Sequence, residues 1–89
     1  MSISPSLISF VARSRKRRGI LIMLCQKPMS QAEIRKSMSM YKSHVSRSLK
    51  ELSEKKLIVC QNPKDRAFKF YKLTHLGAKA IKEVDKILG

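Results

Sequence analysis

The sequence predicts an α+β fold that is mostly helical: three helices, a two-stranded hairpin and a C-terminal helix. Three observations predict it. Apolar residues recur at helical spacing through most of the first 55 positions. The period switches after Lys55-Lys56 to a β-branched run and then to near-alternation. It returns to helical spacing after Thr74. Length sets the frame, since 89 residues allow one domain. A chain this small buries roughly 60% of the surface its unfolded form exposes, so the core is thin.

Each element has its own local warrant. Ser4-Pro5-Ser6 opens a helix with Pro in its first turn, followed by Leu7, Phe10 and Val11 at helical spacing. Ser14 caps a segment in which Arg17, Ile20, Leu21 and Leu24 fall on one side, so 6–25 is one helix or two joined near Ser14. Gly19 weakens that segment by roughly 1 kcal/mol against Ala. Gln26-Lys27-Pro28-Met29 is an extended connector, because Pro pushes the residue before it away from helix. Ser30-Gln31-Ala32-Glu33 is a capping box that starts a short helix over about 31–37. Ser37-Met38-Ser39-Met40 reads as a turn, and a longer helix over about 41–55 buries Val45, Leu49 and Leu52. Leu57-Ile58-Val59-Cys60 and Ala67 to Leu73 form the hairpin, with Asn62-Pro63-Lys64-Asp65 as its turn. Thr74 caps the last helix, about 75–88, whose apolar positions are Ala78, Ile81, Val84 and Leu88. The chain thus divides into an N-terminal helical segment (1–13), a core (14–74) and a C-terminal helix (75–89).

Charge narrows the function. Twenty Lys and Arg against six Asp and Glu give a formal net charge of +14. Residues 1–32 hold six basic residues and no acid. Such a body repels itself and is best tolerated beside a polyanion, which favours nucleic acid over a membrane surface or an acidic protein. No apolar run approaches the ~20 residues that cross a bilayer. The stretch from Ile3 to Ala12 is shorter still, with its positive charges after it, so it reads as neither signal peptide nor membrane span. Cys25 and Cys60 lie in apolar stretches without a C-x-x-C, which reads as two buried thiols in a reducing cytoplasm. His44 and His75 flank neither cysteine, so no metal site is expected. The five Met read as core filler. A Gly-rich phosphate loop, paired carboxylates and a Ser/His/Asp group are all missing from the sequence. The expectation is no enzyme and no cofactor.

A short helix, a tight turn and a second helix with an outward polar face make a helix-turn-helix. Ile34-x3-Met38-Ser39-Met40-x4-Val45-Ser46-Arg47 has the apolar spacing of that motif, and a hairpin directly after it gives the layout of a winged helix. Asn62-Pro63-Lys64-Asp65-Arg66, then six residues, then Leu73-Thr74-x-x-Gly77 is similar to the wing and post-wing signature of MarR-type transcriptional regulators. The layout also resembles small archaeal winged-helix regulators, over about residues 14–77. Three positions depart from the family pattern. Arg35 stands where Ala is common, so its stem must snorkel outward. Ser39 replaces the turn Gly, at roughly 1–2 kcal/mol if the backbone there is left-handed. Tyr41 stands where a Ser or Thr cap is usual. Relative to that family, the long dimerisation helices and the ligand cleft beside them look largely missing.

With Val45, Leu49 and Leu52 facing the core, Ser43, Arg47 and Lys50 point the opposite way, and His44, Ser46 and Glu51 lie on the flanks. A major groove about 12 Å wide admits one such helix. Arg47 reads a base or binds a phosphate, Ser43, His44 and Ser46 permit close approach, and Lys42, nearer the core side, suits a phosphate. The resemblance implies that the wing, with Lys64 and Arg66, enters or borders the minor groove. Asp65 orients Arg66 or the turn backbone. Within the run Arg13, Arg15, Lys16, Arg17, Arg18, the phosphate candidates are Arg15 and Arg18, whereas Arg17 pairs inside a dimer or snorkels. Phe68, Phe70 and Tyr71 either pack the wing strand or stack single-stranded bases between Lys69 and Lys72.

The reading is a sequence-specific double-stranded DNA-binding transcriptional regulator of a prokaryotic cytoplasm, associated with the nucleoid. A homodimer is expected from apolar stripes on both terminal helices (Leu7, Phe10, Val11 and Ile81, Val84, Leu88). The rivals are an architectural nucleoid protein with little sequence preference and an RNA- or ribosome-associated basic protein. The sequence names no effector.

Overall fold

Hydroxyl caps set most element boundaries in the computed structural model, which describes residues 3–65 and 68–88. Ser4 Oγ accepts from the Leu7 N–H (3.2 Å), and Pro5 fills the first position of α1 (Pro5–Ala12). Ser14 Oγ accepts from the Arg17 N–H (3.3 Å) and starts α2 (Arg15–Leu24). Residues 6–25 are therefore two helices. The capping box at α3 (Gln31–Met38) is complete: Ser30 Oγ accepts from the Glu33 N–H (3.1 Å) and Glu33 Oε1 from the Ser30 N–H (3.0 Å). Ser39 ends α3 in the left-handed region (φ 52°, ψ 43°), the conformation a turn Gly would take without strain. Tyr41 then precedes α4 (Lys42–Glu54) without a side-chain capping bond. Thr74 Oγ1 accepts from the Gly77 N–H (3.0 Å) at the start of α5 (His75–Leu88).

The sheet has one strand more than the hairpin expected from the sequence. β1 (Met29–Ser30), β2 (Ile58–Cys60) and β3 (Phe70–Leu73) are antiparallel in the order β1-β3-β2. Met29 faces Tyr71 and Ser30 faces Phe70 on one side of β3, while Ile58 faces Leu73 and Cys60 faces Tyr71 on the other. The end of the connector after Pro28 is already extended, so its polar backbone groups pair with the second edge of β3 instead of water.

The core is built from all five helices and β2. Val11, Ile20, Leu21, Leu24, Ile34, Val45, Leu49, Leu52, Leu57, Ile58, Ala80, Ile81 and Val84 are buried. Met29 joins them, and Met23, Met38 and Met40 pack against them partly covered. Helix α1 packs across α5. The apolar stripes expected to pair two copies are thus largely each other's partners within one chain, which is how a small domain buries both. Of these stripes Leu88 stays exposed, at 50%, beside Ile87 at 65%.

Cys25 is not buried as expected: it lies exposed past the end of α2, one residue and 100° beyond buried Leu24. Partial desolvation and the Asp85 carboxylate push its thiol up, toward the protonated form. Cys60 is half-buried. Among the described residues no helix is long and apolar enough to cross a membrane.

Candidate nucleic-acid interface

Helix α4 divides its faces cleanly. Val45, Leu49 and Leu52 are at most 1% exposed. Ser43, His44, Ser46, Arg47 and Lys50 are all exposed, and so is Lys42, which the helical count places nearer the core side. Lys42 is the first residue of the helix, where no preceding turn covers it. The side chains of Arg47 and Lys50 form no hydrogen bond or ion pair with any described residue. Their donors are free for an external acceptor.

Two contacts brace this face from neighbouring elements. Gln31 Nε2 donates to Ser46 Oγ at 2.7 Å. Lys16 Nζ lies 3.3 Å from His44 Nδ1. An ammonium only donates, so Nδ1 takes the acceptor role in that pair. The Tyr41 and His44 rings meet edge to face at 5.7 Å, with Tyr41 78% exposed. Arg15 and Lys16, from the first turn of α2, line a hollow with Ser39, Tyr41 and His44. The start of α2 therefore abuts the start of α4. Arg15 is exposed and Arg18 is half-buried. Lys16 and Gln31 are additions to the residues expected at this face. Neither carries a local signal in the sequence, and both take their place only where helices cross.

Arg17 is engaged within its own chain. Its guanidinium donates to the Phe10 carbonyl (2.9 Å) and to Glu51 Oε2 (3.0 Å), and stacks 3.8 Å over the Phe10 ring. It ties α1, α2 and α4 together inside one chain.

The wing is held by its own turn residues. Asn62 Oδ1 accepts from the Phe70 N–H (2.8 Å), and its Nδ2 donates to the Phe68 carbonyl. Asp65 Oδ1 accepts from the Phe68 N–H (2.9 Å), so Asp65 braces the turn backbone. Lys64 is exposed in the turn, and Arg66 lies outside the described residues. Strand alternation splits the aromatics. Tyr71 packs against the core, and burial pushes its hydroxyl up. Phe68 and Phe70 are exposed at 67% and 38%, contrary to a core role for all three. At the wing root the Gln31 N–H donates to the Lys69 carbonyl (3.2 Å). Gln31 thereby touches wing and α4 at once. No group of three or more His, Cys, Asp or Glu able to hold a metal ion occurs among the described residues.

The model of one family, described as the HVO_A0261 N-terminal domain, matches residues 5–89. No curated protein sequence matches the chain. Among solved structures, the chain is similar to the transcriptional regulator BldR from Sulfolobus solfataricus, at 21% identity and a TM-score of 0.76, over 84% of this chain and 55% of that one. It is similar to a mutant of MarR from E. coli at 22% identity and a TM-score of 0.79, over 94% of this chain and 63% of that one. The same mutant complexed with operator DNA gives 21% identity and a TM-score of 0.75, over 94% and 64%. The chain spans 55% to 64% of the length of these solved chains. Its fold is the winged helix-turn-helix that they share.

Proposed function

This chain belongs to the HVO_A0261 N-terminal domain family, and on that premise we propose that it is a sequence-specific, double-stranded DNA-binding transcriptional regulator. Helix α4 enters the major groove, and the wing lies at the minor groove or the backbone. One observation carries this reading: α4 buries Val45, Leu49 and Leu52 and leaves the Arg47 and Lys50 side chains exposed and unpaired among the described residues, on a chain of net charge +14. Arg47 donates to a guanine edge, and Ser43, His44 and Ser46 let the helix approach closely. Lys42, Lys50, Arg15, Arg18 and the wing's Lys64 and Arg66 neutralise phosphates. That a MarR mutant of the same fold was solved with operator DNA supports the reading. The chain acts by binding rather than catalysis, in the cytoplasm.

The test is selection of bound duplexes from a random pool. A regulator prefers its selected site over random duplex by ~10³-fold or more. Arg47→Ala should then reduce that preference by about tenfold or more. Equal loss on both duplexes removes base reading, and no preference in the wild type makes the chain an architectural DNA binder instead. Two copies are part of the proposal, since a single module supplies few base contacts and paired modules bind half-sites about one helical turn apart. A palindromic selected site and a dimer in sedimentation would support it; a monomer at micromolar concentration with and without DNA removes it.

The exposure of Phe68 and Phe70 favours a second reading, single-stranded nucleic acid or RNA. Parallel titration with duplex DNA, duplex RNA and single strands decides between the two.

A further inference from the structure

Between the first turn of α3, the start of α4 and the root of the wing lies a hollow of about 400 Å³. Arg35, Lys42 and Lys69 line it, together with Phe68 and the first residues of α3. No acidic residue is among its lining. Glu33, on the same turn of α3, is turned back onto the Ser30 N–H. We propose that this hollow clamps one sugar–phosphate unit of the DNA backbone, with the three cations around the phosphate and the Phe68 ring against the deoxyribose. The proposal rests on the duplex-binding reading above and adds a site to it.

Three features point to that occupant. The first is position. Lys42 begins the helix assigned to the major groove, and Phe68 and Lys69 lie between the wing's turn and β3. A strand leaving one groove for the other crosses the space between them. The second is Phe68 itself. It is 67% exposed, yet its backbone is fixed on both sides, the N–H by Asp65 and the carbonyl by Asn62. An apolar ring on an anchored backbone at the surface beside cations suits a partner with an apolar face next to an anion. Deoxyribose C–H groups beside a phosphate have that pattern. The third is openness: Arg35, Lys42 and Phe68 are all exposed, so a small ligand would stay largely in water. A polymer laid across the hollow covers it. Stacking of a base on Phe68 would instead require taking that base out of the duplex, at a few kcal/mol.

The experiment is a salt titration of binding to a fluorescein-labelled mixed-sequence duplex, read by anisotropy, with the same-length single strand in parallel. Backbone contacts carry no sequence information, so no operator is needed. Arg35→Ala and Lys69→Ala should each weaken duplex binding, and only replacement of Arg35, Lys42 and Lys69 together by Ala should reduce the log–log salt slope by about 0.9, the share of one phosphate. Phe68→Ala should weaken duplex binding about tenfold at an unchanged slope, because it removes apolar contact and no charge. Thermal melts check that each variant is folded; if Phe68→Ala is not, Phe68→Leu removes the ring while keeping apolar bulk, and should weaken binding in the same direction. Unchanged duplex affinity in the Phe68 variant overturns the clamp, as does a loss confined to the single strand. Those outcomes leave the duplex reading standing. A wild type that binds no duplex removes both.

Discussion

A Cβ built on Gly77 would stand 2.1 Å from the carbonyl oxygen of Leu57 and 2.8 Å from Leu73 Cδ1. That carbonyl also accepts the Thr74 N–H (3.1 Å) and lies 3.0 Å from Thr74 Oγ1. Helix α5 therefore docks on the strand side of the molecule through one backbone oxygen, and only a residue without a side chain fits above it. Gly77→Ala should destabilise the fold by about 3 kcal/mol, the upper end for overpacking, because the obstacle is backbone. Gly19→Ala is the control. Its Cβ would meet Met38 Cε at 2.7 Å, the movable end of a flexible side chain, and Ala gains about 1 kcal/mol of helix propensity. Urea unfolding of both variants checks this; equal stabilities would show that the close approach is not what requires Gly77.

Gln31 and Ser46 test whether the α3 start braces α4. Their side chains meet at 2.7 Å, while the Gln31 backbone N–H holds the Lys69 carbonyl whatever the side chain. Gln31→Ala and Ser46→Ala should each lower stability by about 0.5–1 kcal/mol, at the low end because the bond is exposed. The double variant should lose no more than the larger single one. Additive losses in denaturant titrations would mean that the contact contributes nothing.

The parts of this architecture that depend on near neighbours along the chain are legible in the sequence alone. Ser4, Ser14, Ser30 and Thr74 are caps that act within three residues, and all four do so. The Val45, Leu49, Leu52 stripe defines the outward face of α4, because helical geometry relates these positions without help from the rest of the chain. What escapes a reading of the sequence depends on crossings. β1 is two residues long, too short for any alternation, and exists because β3 has a second edge. Periodicity puts Arg17 near the apolar side, but its acceptor Glu51 is 34 residues away. Lys16 differs from Arg15 by one position in a run of cations, and the packing of α2 against α4 selects it for His44. For Phe68, Phe70 and Tyr71 the sequence leaves core packing and base stacking both open; Phe68 and Phe70 are exposed, while the neighbouring Tyr71 packs inward.

Arg17 should behave as a structural residue, not a DNA contact. Its side chain is 21% exposed and makes two hydrogen bonds and a ring contact across three helices. Arg17→Ala should cost about 2 kcal/mol, combining a partly shielded charged hydrogen bond with the cation–π contact. Arg17→Lys should recover less than half, because an ammonium cannot serve the Phe10 carbonyl and Glu51 in the same planar fork. Glu51→Gln should be milder, since the amide keeps an acceptor oxygen and Glu51 is 37% exposed. Chemical denaturation gives these differences. A large loss of duplex affinity from Arg17→Lys at unchanged stability would reassign the residue to the interface.

Glu33 gives the fold a predictable acid limb. The Ser30 backbone N–H, then the Ser30 side chain, hold its carboxyl below the usual carboxylate range, with Lys27 adding to the effect and slight desolvation opposing it. A carboxyl whose folded value is lowered stabilises above the ordinary carboxylate pKa of about 4.3, and loses that contribution as the pH falls through its folded value. Glu33→Gln keeps an acceptor for the Ser30 N–H but has no charge to lose. The wild type should therefore melt above the Glu33→Gln variant near neutral pH, and the gap should close as the pH drops below about 4. Thermal melts across that range measure it. A gap that stays constant with pH would place the value of this capping box in its geometry and not in the ionised carboxylate.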